Sequence, residues 1–104
     1  MKSNVFRAGA AFAMGVGLAL PAWGQDPVAA RGLVSACFTC HGTDGRSAGG
    51  IPPSLAGQDR NYLLQQMKDF KAGTRPATIM HQQAKGYTDA QLETMANYFS
   101  SLKR

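Results

Sequence analysis

The chain has 104 residues, of which 44% are hydrophobic, and it carries two cysteines and a formal net charge of +5. This length fits one small globular domain. The basic residues are scattered singly and aromatic residues do not alternate with them, which argues against a nucleic-acid-binding surface. Two cysteines only three positions apart close a very small loop, so they do not form a stabilising disulfide framework and must have another purpose.

The beginning of the chain has the layout of a secretory leader. A short basic start precedes an apolar run at residues 8–20, Pro21 ends that run, and the small residues Ala22 and Gly24 suit a signal peptidase. Cleavage is therefore expected before Gln25. The alternative is an uncleaved membrane anchor, but the run is shorter than the roughly 20 apolar residues that span a bilayer.

We therefore divide the chain into a signal peptide at residues 1–24 and one domain at residues 25–104. No twin-arginine pair precedes the apolar run, so export to the periplasm by the general secretion route is expected, with no membrane span after cleavage. Lys2 and Arg7 belong to the leader, which lowers the net charge of the remaining domain to +3. A domain of this size is marginal on its own core and usually depends on a disulfide, a metal or a cofactor.

The first two predicted helices are recognised by their ends. Asp26 followed by Pro27 is typical of a helix start and predicts a helix that runs to about residue 36. A second helix is predicted at about residues 59–72, where Gly73 ends it. Its apolar face is formed by Tyr62, Leu63, Met67 and Phe70.

A capping box of Thr88 and Gln91 predicts the start of a third helix. The apolar stripe of that helix consists of Leu92, Met95, Ala96, Phe99 and Leu102. Residues 42–57, rich in glycine, and residues 74–87 are predicted to be irregular, and no segment alternates like a strand. The expected fold is all-α, with three main helices and two long loops, which are long for so small a domain and indicate a function or a non-protein packing partner.

The first helix is followed by the motif Cys37-Phe38-Thr39-Cys40-His41. Cys-x-x-Cys-His is the attachment signal for c-type haem. Two thiols at this spacing lie on one side of a helical turn, where they can add to the two vinyl groups of a porphyrin, and the adjacent histidine can direct a ring nitrogen at the iron. The motif predicts one covalently attached haem c, which would also complete the core of the domain.

Three other uses of these cysteines are a redox pair, a zinc site and a disulfide. A thioredoxin-like redox pair needs a βαβ setting, which the sequence does not predict. A zinc site could use the two cysteines with His41 and His81, but forty residues separate these histidines, unlike the regular spacing of zinc sites. A plain disulfide explains neither the histidine nor the glycine-rich loop. Haem attachment explains all of these features.

The identity of the sixth iron ligand decides what such a haem can do. The usual donors are methionine and histidine, and an open site is the third possibility. Met67 and Met95 lie on apolar helix faces and are expected in the core, whereas Met80 lies in the predicted loop. His81, beside it, is the rival. We favour Met80, because its loop can wrap the far face of the haem and a histidine on a loop is more often a solvated side chain than a ligand. A methionine and histidine pair raises the reduction potential and closes the iron to small ligands.

The order of these features resembles that of a class I cytochrome c, over essentially all of residues 25–104. The resemblance implies that Cys37 and Cys40 carry the thioethers and that His41 and Met80 are the axial iron ligands. It also implies that the carbonyl of Pro53, in Pro53-Ser54-Leu55, accepts a hydrogen bond from the haem histidine. Such a bond fixes the tautomer of the ring and raises its basicity as a ligand.

Within that class, residues 75–80 followed by residues 84–87 look most like the cytochrome subunit of flavocytochrome c sulfide dehydrogenase. In that family a FAD-containing flavoprotein oxidises sulfide and passes electrons one at a time to its cytochrome. The resemblance implies such a flavoprotein as partner, and a downstream cytochrome or oxidase as acceptor. One departure stands out, because well-known cytochrome subunits of this family carry two haem domains and this chain has a single attachment motif.

Three functions are compatible with the predicted haem site. The first is a haem subunit docked on a sulfide-oxidising flavoprotein, and the second is a freely diffusing single-haem carrier between respiratory complexes. Both are electron-transfer proteins rather than enzymes. The third is a haem enzyme or ligand sensor, which would need an open or labile sixth position. The sequence favours the first, because the residues around Met80 carry the resemblance to the sulfide dehydrogenase subunit.

Overall fold

The computed structural model describes residues 9–13, 15, 17 and 26–104. Most of the predicted signal peptide and the cleavage position before Gln25 lie outside the described residues. From residue 26 onward the described chain is helical with no β-strand. None of the described helices is both long and apolar enough to cross a membrane.

Five helices follow in chain order: α1 at Pro27–Val34, α2 at Phe38–His41, α3 at Arg60–Ala72, α4 at Met80–Lys85 and α5 at Asp89–Ser101. Two short 3₁₀ turns accompany α2, at Ser35–Cys37 before it and at Thr43–Gly45 after it. The all-α class and the three main helices agree with the prediction.

The predicted caps explain where the main helices begin. The side chain of Asp26 accepts a hydrogen bond from the backbone of Val28 at 2.9 Å, and Pro27 occupies the first turn of α1. These contacts satisfy or remove amide donors that a helix start leaves without partners. Asp59 caps α3 in the same way, and the reciprocal capping box of Thr88 and Gln91 opens α5.

The hydrophobic core lies where α1 and α3 pack against α5. Its buried members are Val34, Leu63, Leu92, Met95, Ala96 and Phe99. Four of the six come from α5, which confirms four of the five residues of the predicted apolar stripe. The fifth, Leu102, follows the end of α5 and is partly buried against the core. The carbonyl of Phe99 also accepts a hydrogen bond from Gly57 at 2.8 Å, which ties the first long loop to the end of α5.

Two predicted boundaries need correction. The first helix ends at Val34 rather than near residue 36, but helical turns continue through the cysteine motif to His41. The region at residues 74–87 is not wholly irregular, because it contains α4. Met80 is therefore the first residue of a short helix.

Helix α4 could not be recognised in the sequence, for a physical reason. Six residues are too few to show a helical period, and Ile79 at its start supplies no side-chain cap. Short helices take most of their stability from tertiary packing. Here α4 packs against α3 and fully buries Ala84.

Candidate functional site

A cavity of about 430 Å³ opens between the cysteine motif, the first long loop, α3, α4 and α5. Its size is within the range of pockets that hold small molecules and cofactors. The chemically distinctive residues on its wall are Cys37, Cys40, His41, Met67, Met80 and Met95, together with Pro53. Most of the rest of the wall is apolar. All five residues that the sequence assigns to haem therefore lie around one cavity.

Both cysteines are free thiols in the described structure, with Cys37 half-buried and Cys40 exposed. Burial raises the pKa of the Cys37 thiol above its ordinary value, and the neighbouring Cys40 adds to the increase. A raised pKa leaves the Cys37 thiol less reactive in disulfide exchange, which needs the thiolate. The two thiols stand instead at the wall of an apolar cavity, one helical turn apart.

The ring of His41 is buried, with 8% of the residue exposed. Its Nδ1 atom lies 2.7 Å from the carbonyl oxygen of Pro53, so the ring N–H donates to that carbonyl. In a neutral imidazole this leaves Nε2 without a proton and able to bind a metal. The contact is the one that the resemblance implied for Pro53, whereas the roles of both residues toward an iron stay predictions.

The backbone around His41 is held in place by two glycines. Gly42 has a φ of +84°, and a Cβ there would lie 2.0 Å from the carbonyl oxygen of Arg46, so no other residue fits this turn. At Gly45 a Cβ would meet the Phe99 ring at 2.7 Å. The carbonyl of Gly45 also accepts hydrogen bonds from Leu55, at 2.7 Å, and from the next residue. These contacts fix the loop that carries Pro53.

Three methionines line the cavity, and their surroundings differ. Met95 is 3% exposed and belongs to the core, and Met67 packs against that core. Met80 is part of neither group among the described residues. His81 is not among the residues that line the cavity, although Met80 is. Met80 therefore has a thioether at the cavity wall that the core does not use.

Sequence reasoning missed the polar part of the wall. Gln58, Tyr62 and Gln66 lie four positions apart and all line the cavity, as does Arg75. For Tyr62 and Gln66, which lie on α3, the four-residue spacing was the available signal, since it puts polar side chains beside the apolar face of a helix; Gln58 precedes the helix. Tyr62, which the sequence placed on the apolar face of α3, is 51% exposed because it borders the cavity.

The donor set fits haem better than the alternatives. Two adjacent thiols, a histidine with its tautomer fixed, a free thioether and an apolar wall are what a covalently bound porphyrin requires. In the part of the chain that the structure describes, no group of three or more His, Cys, Asp or Glu side chains could hold a metal ion, so a zinc site has no support. The thioredoxin alternative lacks its sheet, because residues 26–104 contain no strand.

Comparison with known proteins gives a consistent result. The family model described as Cytochrome c matches residues 28–103. The chain is 49% identical over 69 residues to cytochrome c-552 of Acidithiobacillus ferridurans, covering 66% of this chain and 30% of that protein. It is 42% identical over 72 residues to the cytochrome subunit of sulfide dehydrogenase of Chlorobaculum tepidum, covering 69% and 64%.

Among solved structures, reduced recombinant cytochrome c4 from Pseudomonas stutzeri is similar, with a TM-score of 0.68 and 40% identity. The match covers 75% of this chain and 46% of that one. The chain thus spans between about a third and just under two thirds of the length of these three relatives. The shared part is the domain that surrounds the cavity.

Proposed function

The chain belongs to the cytochrome c family, whose members transfer electrons with covalently bound haem c, and we propose that it is an exported single-haem carrier with His41 and Met80 as axial ligands. One observation carries this proposal: a single apolar cavity is lined by Cys37, Cys40, His41 and Met80. One haem per chain is proposed because the sequence contains one attachment motif.

When bound, haem supplies a one-electron couple at its iron. The residues of the chain control what else can happen there. Cys37 and Cys40 hold the group covalently, so that it is retained outside the cytoplasm. The carbonyl of Pro53 keeps the ring of His41 in one tautomer and one orientation. Met80 would supply the second protein ligand to the iron and keep small ligands away from it, which would favour electron transfer over oxygen chemistry.

For the partner, we propose the FAD-containing flavoprotein subunit of a sulfide dehydrogenase, with a downstream cytochrome or oxidase as acceptor. The similarity to the cytochrome subunit from Chlorobaculum tepidum supports this assignment. With one attachment motif, the chain accepts one electron at a time, so the two electrons of each sulfide leave the flavoprotein in succession. Periplasmic localisation follows from the signal peptide predicted at residues 1–24.

The surface beside the cavity also supports docking. Ile51 is 92% exposed and precedes Pro52, which lines the cavity, and Ile79 on the cavity wall is 52% exposed. Exposed aliphatic side chains grouped near a site favour a protein contact there. The second candidate, a freely diffusing carrier, is supported by the similarity to cytochrome c4, and it would depend more on salt-sensitive charged contacts.

The partner proposal is tested by isolating the protein from its native source under gentle conditions and assaying the same fraction for haem and flavin. We expect flavin to co-elute with the haem absorbance. With the flavoprotein in hand, Ile51→Ser should weaken co-elution, and Val28→Ser is the matched control because Val28 is 80% exposed on α1 and does not line the cavity. A clean haem monomer without flavoprotein would support the diffusing carrier instead.

A further inference from the structure

Arg75 is held against the cavity by contacts from α3. Its Nη1 atom donates a hydrogen bond to the side-chain oxygen of Gln66, and its guanidinium carbon lies 4.5 Å from the centre of the Phe70 ring. The backbone N–H of Arg75 also donates to the carbonyl of Asp69 at 3.3 Å. A long side chain that usually samples many rotamers is therefore fixed in position beside the cavity.

Among the side chains that the structure describes, Arg75 has no acidic partner within ion-pair distance. All six acidic residues of the chain lie in the described part, and none of them lines the cavity. Ion pairs among the described residues involve other cations, such as Arg31 with Asp44 at 3.0 Å. The contacts of Arg75 are a neutral amide and an aromatic face, which hold the guanidinium without neutralising it. Arg75 is also the one Lys or Arg side chain among the residues that line the cavity.

We propose that Arg75 sets the reduction potential of the bound haem, an inference that rests on the proposed function. The oxidised form of the site carries one more positive charge than the reduced form. A fixed cation on the cavity wall repels that charge and favours the reduced form. With an effective dielectric constant of about 20 and separations on the order of 10 Å, one unit charge shifts such an equilibrium by roughly ten-fold, and solvent exposure of Arg75 lowers this toward three-fold.

The test compares holoprotein variants by redox titration. In Arg75→Gln we expect the ratio of reduced to oxidised protein at a fixed ambient potential to fall by roughly three- to ten-fold, where ten-fold corresponds to 59 mV for one electron. Arg75→Lys keeps the charge and should stay within about two-fold of the unaltered protein. Lys68→Gln is the matched control, because it removes one positive charge from α3 at a position that does not line the cavity.

Two readouts separate a charge effect from a structural one. The methionine–iron charge-transfer band and the exclusion of carbon monoxide should be preserved in every variant, and the effect of Arg75→Gln should be constant from pH 5 to pH 9, because arginine stays protonated. Loss of the band in Arg75→Gln would overturn the proposal, since Arg75 would then act by holding the segment before Met80. An effect confined to the pH range in which a haem carboxylate ionises would overturn it as well.

The proposed function and this inference fail in different ways. If the unaltered protein lacks the band or binds carbon monoxide, the ligand assignment is wrong. If the unaltered protein passes both tests and Arg75→Gln leaves the potential unchanged, or Lys68→Gln lowers it equally, only the role of Arg75 is wrong.

Discussion

The two walls of the cavity are built in different ways. On the attachment wall, Cys37, Cys40 and His41 belong to one five-residue motif, and the ring of His41 is buried and hydrogen-bonded to Pro53. On the opposite wall, the proposed ligand Met80 begins a six-residue helix that has no side-chain cap.

The two walls take their stability from different sources. The attachment wall is fixed by the local backbone turns at Gly42 and Gly45, and the proposed thioether bonds would add to this. The wall of Met80 depends on tertiary contacts, namely the packing of α4 on α3 and the contacts of Arg75 just before α4. Substitutions can therefore disrupt each wall separately.

Removing both thiols should abolish covalent attachment of haem completely. In Cys37→Ala/Cys40→Ala we expect no haem to stay with the chain after denaturing electrophoresis, and no haem mass in the intact protein. Each single variant should keep one thioether bond. Thr39→Ala is the matched control, because Thr39 lies between the cysteines and does not line the cavity. Covalent haem in the double variant would show that the motif is not the attachment site.

Met80→Ala should break the opposite wall while leaving the haem attached. The reduced protein, which we expect to exclude carbon monoxide before the change, should then bind it stoichiometrically, and the reduction potential should fall. The measurement is the optical spectrum under carbon monoxide. Met67→Ala and His81→Ala should stay closed. Opening of the iron in Met67→Ala instead would move the ligand from α4 to α3.

The capping box of α5 offers a smaller test of local control. Thr88→Ala removes the hydroxyl that accepts the backbone N–H of Gln91 at 3.2 Å and should lower the free energy of unfolding by about 1 kcal/mol. Denaturant unfolding of the holoprotein measures this loss. Ser100→Ala, near the other end of α5, should change it by less than about 0.5 kcal/mol. If the two variants lost the same free energy of unfolding, the cap would contribute no more to stability than Ser100 does.

The smallest change in stability is expected at Asp44, which links α1, the 3₁₀ turn at Thr43–Gly45 and α5. Asp44 accepts hydrogen bonds from the Tyr98 hydroxyl at 2.7 Å and from Arg31 at 3.0 Å. The hydrogen bond from Tyr98, with the charge and hydrogen bond of Arg31, holds the pKa of Asp44 below its ordinary value.

Because the folded state favours the carboxylate, its contribution is present above the unfolded pKa, about 3.9, and is lost as pH falls through the lower folded pKa. Asp44→Asn tolerates the φ of +54° at this position. The stability difference between the unaltered protein and Asp44→Asn should therefore be constant from pH 7 to about pH 5 and shrink toward pH 3. Denaturant midpoints across this range measure it, and a difference independent of pH would contradict the assignment.

What could be predicted from the sequence follows the same division. The attachment motif and the three main helices were predictable, because caps such as Asp59 and terminators such as Gly73 act on backbone groups only a few residues away. These are local interactions, and the residue pattern contains them. The family resemblance then supplied Pro53, whose contact with His41 spans twelve residues.

The remaining features depend on contacts that no local pattern encodes. Helix α4 has no cap and exists through its packing on α3. The contacts of Arg75 with Gln66 and Phe70 join residues on either side of a helix end, and they become visible only once the chain turns at Gly73. The cavity does not by itself choose among the three methionines, since Met67, Met80 and Met95 all line it.

The most direct test of the central claim is the proton NMR spectrum of the reduced holoprotein labelled with ¹³C at the methionine methyl groups. When the sulfur of a methionine binds the iron, its methyl group lies over the porphyrin face, where the ring current shifts the methyl resonance far upfield. We predict one such resonance, lost in Met80→Leu and retained in Met67→Leu and Met95→Leu. An upfield methyl that disappears with Met67 or Met95, or its absence from the unaltered protein, would contradict the assignment of Met80 and the electron-carrier function based on it.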